Sequence, residues 1–175
     1  SKNPDWSSVL SPEPISGTVR PSSSQTVTMQ NDGQKMVNGN YTFNLNVNTN
    51  ESENPKQKLT VNVSVSGNKP ELTAAKVVDF GELLVGQEKT IAVEIANNGY
   101  GDFTGPWGAL QFPDNGMESS STEFEPESYI AGFAARSKGT LNVTFKPASA
   151  GSKSGTITLT DANGIKFNIV VRGVA

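Results

Sequence analysis

The sequence contains neither cysteine nor histidine. Without cysteine, the chain has no disulfide framework, no thiolate nucleophile and no Cys-based metal site. Without histidine, it lacks the Ser-His-Asp and Cys-His arrangements, the usual zinc ligands and the commonest general base. Two acidic residues could in principle serve a glycosidase, but no pair stands out. We therefore predict that the protein is not an enzyme, uses no cofactor and holds no metal.

Charge and long apolar runs are also scarce. Charged residues make up 18% of the chain, the net charge is −3, and lysine and arginine are scattered singly. This distribution argues against nucleic acid as a partner. No apolar run reaches the roughly 18–20 residues that span a bilayer, so membrane insertion is not expected. The start has no apolar signal core and the first residue is not Met, so the true N-terminus stays open.

The residues that are abundant, Thr, Ser, Asn, Val and Gly, suit short β-strands joined by polar turns. Residues 41–47 and 59–65 alternate apolar and polar side chains, which predicts half-buried antiparallel strands. An earlier strand is predicted at 25–29. Residues 11–14 contain two prolines and are expected to be extended but irregular, because proline cannot donate to a ladder.

The segment Gly67-Asn68-Lys69-Pro70 breaks the strand pattern and is typical of a short polar linker. We therefore predict two domains, residues 1–68 and residues 69–175. A second series of strands follows the break, at 76–80, 89–95, 109–112, 139–145, 156–160 and 167–171. Turn signals between these runs are typical of a β-sandwich.

The inward rows of this second series predict the core of the second module. Its members are Val78, Phe80, Leu83, Ile91, Val93, Ile95, Leu141, Val143, Phe145, Ile157, Leu159, Phe167, Ile169 and Val171.

The two halves share a repeat of strand, glycine-containing turn, strand, polar turn and strand. Residues 24–67 follow the same order as residues 139–173, but nothing upstream of Trp6 corresponds to residues 76–112. We therefore predict that the first module is partial, its opening strands being left out or supplied by another chain. Three or four strands leave sheet edges open and the core thin.

Two runs carry a family resemblance. The run Val78-Asp79-Phe80-Gly81 with its following glycine turn, and the strand ending Asn97-Asn98-Gly99, resemble the opening of abnormal-spindle/hydin-type immunoglobulin-like domains. The closing segments 141–147 and 171–173 fit as well, so the resemblance covers residues 70–175. In bacteria, such modules occur in large surface and secreted proteins, some described as choice-of-anchor proteins. Residues 1–67 resemble the β-sandwich repeats that follow bacterial subtilisin-like proteases.

These resemblances and the strand pattern together predict an all-β fold of tandem immunoglobulin-like antiparallel β-sandwiches, the first one partial. They imply a non-catalytic module that spaces or presents other domains of a larger bacterial cell-surface or secreted protein. The location would be extracellular, cell-surface or periplasmic, and the partners would be adjacent domains of the parent and a protein or glycan. Related modules also occur in ciliary and centrosomal proteins, so the source stays open.

Two further hypotheses come from different classes. The loop 100–112 carries Tyr100, Phe103 and Trp107, whose rings could bind a sugar or peptide and make the chain a carbohydrate-binding or adhesin module. That hypothesis requires exposed, coplanar rings; alternatively, Trp107 fills the end of the sandwich. In the third hypothesis, the open edge of the first module pairs with another chain.

Three acidic segments invite a metal interpretation. Carboxylates at 123–127 and at Asp114-Asn115 could hold calcium, but neither has an alternating ligand loop, and solvated loops are the simpler interpretation. The run 161–164, with its Asn-Gly pair, is predicted to be a hairpin turn.

Overall fold

A computed structural model describes residues 9–105, 111–113 and 116–175, with the backbone alone for 111–113. The described residues form β-strands, turns and short 3-10 segments such as Gly33–Lys35, and contain no α-helix. The all-β prediction is confirmed. The chain divides into two compact units, Ser1–Asn68 and Lys69–Ala175, called unit 1 and unit 2 below.

Unit 1 contains four strands among its described residues, arranged as two separate antiparallel pairs. They are β1 (Leu10–Glu13), β2 (Thr28–Asn31), β3 (Gly39–Asn48) and β4 (Lys56–Val65). β1 pairs with β2, and β3 pairs with β4 over ten residue pairs from Gly39↔Val65 to Asn48↔Lys56. The alternating runs 41–47 and 59–65 are thus strands, as predicted, whereas the strand expected at 25–29 begins at Thr28.

The expectation that residues 11–14 are irregular was wrong, because β1 covers most of them. Pro12 lies opposite Met29 in the ladder. The N–H of Asp32 donates to the carbonyl of Val9 at 2.9 Å, so the odd-numbered residues of β1 bond to β2. The nitrogen of Pro12 therefore points away from β2, where its missing N–H costs the ladder nothing.

The core of unit 1 is small and lies at one end of the β3–β4 hairpin. Its buried members are Val9, Met36 and Val65, with Tyr41, Phe43 and Val63 packed against them. At the other end of the same apolar row, Val47 and Leu59 are 48% and 54% exposed. The described part of unit 1 is therefore two hairpin-like ladders over a thin core, and not a closed sandwich.

Within its described ranges, unit 2 contains ten strands, which form two four-stranded sheets and one short pair. They are β5 (Leu72–Thr73), β6 (Val77–Glu82), β7 (Lys89–Asn97), β8 (Gln111–Pro113), β9 (Met117–Ser119), β10 (Phe124–Pro126), β11 (Tyr129–Ala131), β12 (Lys138–Phe145), β13 (Ser152–Thr160) and β14 (Lys166–Val174). One sheet has the order β10-β12-β7-β5 and the other β6-β14-β13-β9, while β8 pairs with β11. All pairs are antiparallel except β6 with β14.

Side chains from both four-stranded sheets form a single core, which makes unit 2 a β-sandwich. Every predicted core residue belongs to it: Leu83, Ile91 and Phe167 are partly buried, and the others are buried. The rings of Phe80, Phe124 and Phe145 form a cluster at its centre, with centroids 4.5–5.6 Å apart. Such ring pairs add about 0.5–1.5 kcal/mol each beyond the area that they bury.

The core also contains residues that the sequence pattern did not indicate. They are Phe103, Met117, Phe124, Ile130 and Phe133. They come from loops or from the three-residue strands β9, β10 and β11, which are too short to show a period. β8 covers 111–113 instead of the predicted 109–112, of which 109 and 110 lie outside the described residues.

Candidate functional site

The segment that follows β7 carries the predicted aromatic site, and Asn97 fixes it. The side chain of Asn97 is 1% exposed. Its Nδ2 donates to the carbonyls of Gly101 and Phe133 at 2.8 and 3.0 Å. Its Oδ1 accepts the N–H groups of Gly99 and Glu71, both at 3.0 Å. All four hydrogen-bonding positions of this buried amide are satisfied, so Asn97 holds three segments of backbone together.

Gly99 lies in the same junction at a point where no side chain fits. A Cβ on Gly99 would lie 2.5 Å from the nitrogen of Glu71 and 2.5 Å from the carbonyl oxygen of Lys69. These are backbone atoms, which cannot move aside cheaply. The run Asn97-Asn98-Gly99 at the end of β7 therefore has a structural role. Asn97 forms hydrogen bonds with three backbone segments, and Gly99 allows these segments to approach closely.

Phe103, one of the three predicted binding residues, is fully buried. Its N–H and carbonyl form reciprocal hydrogen bonds with Phe133, both at 2.9 Å, and the two ring centroids are 6.3 Å apart. The expectation that Phe103 presents its ring to a ligand is wrong for this conformation. The bridge to Phe133 draws the loop onto the sandwich and turns the ring into the core.

Tyr100 is half-buried, and a cation lies over its ring. The guanidinium carbon of Arg136 is 5.1 Å from the ring centroid, and Nη1 of Arg136 donates to the carbonyl of Asn98 at 2.6 Å. One face of the ring is thus engaged within the protein. Trp107 lies outside the described residues. Sugar or peptide binding by Tyr100 and Trp107 stays a prediction.

The acidic segment 123–127 is not a free loop, because strand β10 lies within it. Glu123 accepts the N–H of Ala148 at 2.7 Å and pairs with Lys153 at 3.1 Å. These two contacts, the backbone hydrogen bond first, hold the pKa of the Glu123 carboxyl below its ordinary value. Glu127 bonds to the backbone and side-chain nitrogens of Asn142 at 2.8 and 3.2 Å. The solvated-loop interpretation was wrong for this segment.

Asp161 and the residues after it form the predicted hairpin turn between β13 and β14. Asp161 is buried, and its Oδ1 accepts the N–H groups of Asn163 and Ile165 at 2.8 and 2.7 Å. Gly164 adopts a φ of 77°, a conformation that glycine enters without strain. The carboxylate of Asp161 is thereby used within the turn. Asp114 and Asn115 lie outside the described residues.

Across the described part of the chain, no three acidic side chains gather as metal ligands. Within the same ranges, no helix is long and apolar enough to cross a membrane. The polar residues that stand out structurally, Asn97, Glu123 and Asp161, were not predicted to act this way. Asn97 and Glu123 have partners on other strands or loops, which a sequence pattern does not place, whereas the partners of Asp161 lie within its own turn.

The β3–β4 hairpin of unit 1 is the second candidate surface. In the described residues, no third strand pairs with either outer edge of this ladder. One face carries the apolar row that ends in the exposed Val47 and Leu59. The other face is polar, with cross-strand hydrogen bonds from Thr42 to Asn62 at 2.9 Å and from Thr60 to Asn44 at 3.2 Å. Both outer edges of the β3–β4 ladder are therefore long and have no neighbouring strand among the described residues.

No protein-family model and no curated protein matches the chain. Solved structures that are similar to it include a protein of unknown function from Porphyromonas gingivalis, which is 15% identical with a TM-score of 0.47 over 96% of this chain and 80% of that one. The ASH/PapD-like domain 7 of human CEP192 is 11% identical, with a TM-score of 0.41 over 61% of this chain and 84% of that one.

Domains 4 and 5 of the S-layer protein SbsC are 20% identical to the chain, with a TM-score of 0.38 over 97% of this chain and 67% of that one. These identities and TM-scores are too low for the function of a similar structure to be assigned to this chain. The family resemblances of residues 1–67 and 70–175 stay predictions.

Proposed function

We propose that the chain is a non-catalytic structural and interaction module of a larger bacterial cell-surface or secreted protein, where it spaces or presents neighbouring domains. One observation carries this proposal: in unit 2 the first long strand and the last strand are parallel neighbours. β6 pairs with β14 through Val77↔Val170, Val78↔Val171 and Asp79↔Arg172. Leu83 then donates its N–H to the carbonyl of Val174 at 2.9 Å.

This pairing favours a load-bearing role, because force on the two ends of unit 2 pulls β6 and β14 in opposite directions along their length. The hydrogen bonds of the ladder are then loaded in shear, side by side, rather than one after another. The ion pair of Asp79 with Arg172, 2.9 Å between Oδ2 and Nη2, lies across the same ladder. A spacer under tension needs this kind of resistance.

Single-molecule force spectroscopy tests the proposal. We expect unit 2, pulled between Lys69 and Ala175, to resist until it unfolds in one step at high force. As a matched control, the same unit is pulled between Gly151 and Ala175, which are hydrogen-bonded to each other at 2.7 and 3.1 Å beside the paired ends of β13 and β14. That geometry peels the hairpin one bond at a time and should need clearly less force. Equal forces in the two geometries would refute the load-bearing role.

A second candidate function is strand-mediated assembly through unit 1, and the uncapped β3–β4 ladder favours it. An extended segment of another chain would continue this sheet, and its apolar side chains would pack beside the row that ends in Val47 and Leu59. The hypothesis predicts that the protein self-associates at high concentration in light scattering and that the amides of β3 and β4 gain protection as concentration rises. A monomer with concentration-independent hydrogen exchange contradicts it. Leu59→Lys should abolish the association, and Lys58→Gln is the matched control.

A further inference from the structure

Strand β7 has an open edge in unit 2, in addition to the hairpin edge of unit 1. The strand next to β7 is β5, which pairs with it only at Leu72↔Asn97 and Thr73↔Ala96. The chain then leaves this sheet and enters β6, which belongs to the opposite sheet. From Thr90 to Ile95, no described strand lies on that side of β7.

The direction of the backbone groups along β7 follows from two hydrogen bonds. The N–H of Asn97 donates to Ser137 at 2.8 Å, on the β12 side, and the N–H of Asn98 donates to Glu71 at 2.8 Å, on the β5 side. Backbone groups alternate sides along an antiparallel strand. The N–H and C=O of Ala92 and Glu94 therefore point to the open side, where the pairing with β5 stops at Ala96 and no other backbone hydrogen bond within the described residues reaches them.

A groove of ≈ 610 Å³ lies beside this edge, between β7 and β6. Its lining includes the buried Val78 and Val93, and the small Ala74 and Ala75 where the chain crosses between the sheets. This volume falls in the range of about 300–1,000 Å³ that ligand sites occupy. The groove combines a partly apolar lining with unpaired main-chain groups, and an extended peptide is the ligand class that can satisfy both.

The charges at the rim indicate what kind of peptide fits. Glu94 is paired with Lys138 at 2.7 Å, and Asp79 is paired with Arg172 at 2.9 Å. Because each carboxylate has its own cation, the rim offers no unbalanced charge to attract a charged ligand. A peptide that fits this rim is therefore uncharged. It would pair with β7 on the same edge as β5, next to the two residue pairs that β5 forms.

We propose that the edge of β7 from Thr90 to Glu94 binds an extended, uncharged peptide segment by strand addition. About five residues at roughly 3.3 Å each cover this length. The main chain of the peptide bonds to Ala92 and Glu94, and every second side chain, small or apolar, enters the groove. This site lies in unit 2 and is independent of the load-bearing role and of assembly through unit 1.

A selection experiment on the whole chain tests this proposal. A random heptapeptide library displayed on phage is panned against the folded protein, and enriched sequences are made as synthetic peptides. We expect uncharged sequences with alternating apolar residues. On binding, amide exchange measured by NMR should slow at Ala92 and Glu94. Failure to enrich such peptides, or protection at other strands only, overturns the proposal.

Two variants locate the binding. Ala75→Trp fills the groove and leaves the backbone of β7 intact, so it should abolish binding; Ala162→Trp, the same change at an exposed alanine in the β13–β14 turn, should not. Ala92→Pro removes one donor and should weaken binding by up to about tenfold, the value of one main-chain hydrogen bond. Peptides that bind Ala75→Trp as tightly as the unchanged protein overturn the site. Protection of Ala92 that rises with protein concentration alone also overturns it, in favour of a second copy.

Discussion

The two units use the same strand pattern with different results. β3 and β4 of unit 1, like β13 and β14 of unit 2, form an antiparallel hairpin with an apolar row on one face. In unit 2 the opposite sheet covers that row, and Ile157, Leu159 and Val171 have no exposed surface. In unit 1, the described residues cover one end of the row and leave Val47 and Leu59 about half exposed. Alternation therefore specifies a strand and its apolar face, whereas burial needs a second layer.

The comparison implies that stability is concentrated in unit 2. Burial of apolar surface is the largest favourable contribution to folding, and it scales with the area removed from water. Among the residues that the structure describes, unit 1 has three buried apolar residues in its cluster, and the core of unit 2 has sixteen. The predictions below test this difference, from the largest expected effect to the smallest.

The largest effect is expected from truncating matched leucines in the two units. Leu141 is fully buried in β12, and Leu59 occupies an equivalent alternating position in β4 but is 54% exposed. Leu141→Ala should lower the free energy of unfolding of unit 2 by about 3 kcal/mol or more, since it leaves a cavity. Leu59→Ala should cost unit 1 below about 1 kcal/mol. Urea unfolding followed by circular dichroism measures both, and equal losses would contradict the comparison.

The next effect concerns the buried amide of unit 2. Asn97→Ala leaves the N–H groups of Gly99 and Glu71 without their acceptor, and should destabilise unit 2 by about 2–4 kcal/mol. Asn98→Ala is the control at the adjacent exposed position, where the side chain donates to the hydroxyl of Thr73 at 3.0 Å; it should cost about 0.5 kcal/mol or less. Thermal unfolding distinguishes them. A small effect of Asn97→Ala would show that the loop 99–103 does not depend on this side chain.

A smaller effect is expected at the last residue of unit 1. Nδ2 of Asn68 donates to the carbonyls of Gly33 and Met36, both at 2.7 Å, and its N–H donates to Asn38 at 3.1 Å. Asn68→Ala should cost unit 1 about 1–2 kcal/mol and leave unit 2 unchanged. Hydrogen exchange resolves the units: faster exchange in β4 but not in β14 is expected. Asn46→Ala, on the exposed polar face, serves as the control.

The smallest effect is the acid dependence of unit 2. A hydrogen bond from the backbone N–H of Gly81, and to a lesser extent one from Arg172, lowers the pKa of Asp79. The backbone N–H of Ala148, and to a lesser extent Lys153, lowers the pKa of Glu123 in the same way. Because the folded pKa is below the unfolded one, these groups stabilise the fold above about pH 4, and that contribution is lost as pH falls through the folded pKa. The Tm should fall on acidification, and less steeply in Glu123→Gln. An identical pH profile for the variant would rule out a role for Glu123.

Sequence reasoning worked best where a signal repeats along one strand. The inward rows of β7, β12, β13 and β14 were predicted residue by residue because period-two alternation is local. The turn at Asn163-Gly164 was predictable for the same reason. The positive φ that it requires falls on Gly164, which the local sequence supplies. The candidate site was harder: the binding hypothesis required an exposed Phe103, and no local pattern indicates which way a loop ring turns.

What the sequence determined by itself is the class of secondary structure, the apolar face of each long strand and the positions of the tight turns, because each depends on neighbours a few residues apart. Only the tertiary structure decided which faces are covered, that Phe103 joins the core through Phe133, and that β7 keeps an open edge. These outcomes depend on contacts between segments distant in the sequence, such as Asn97 with Phe133 and Glu123 with Ala148. A local period cannot encode which segments contact each other, because these contacts depend on how the two sheets pack around one core.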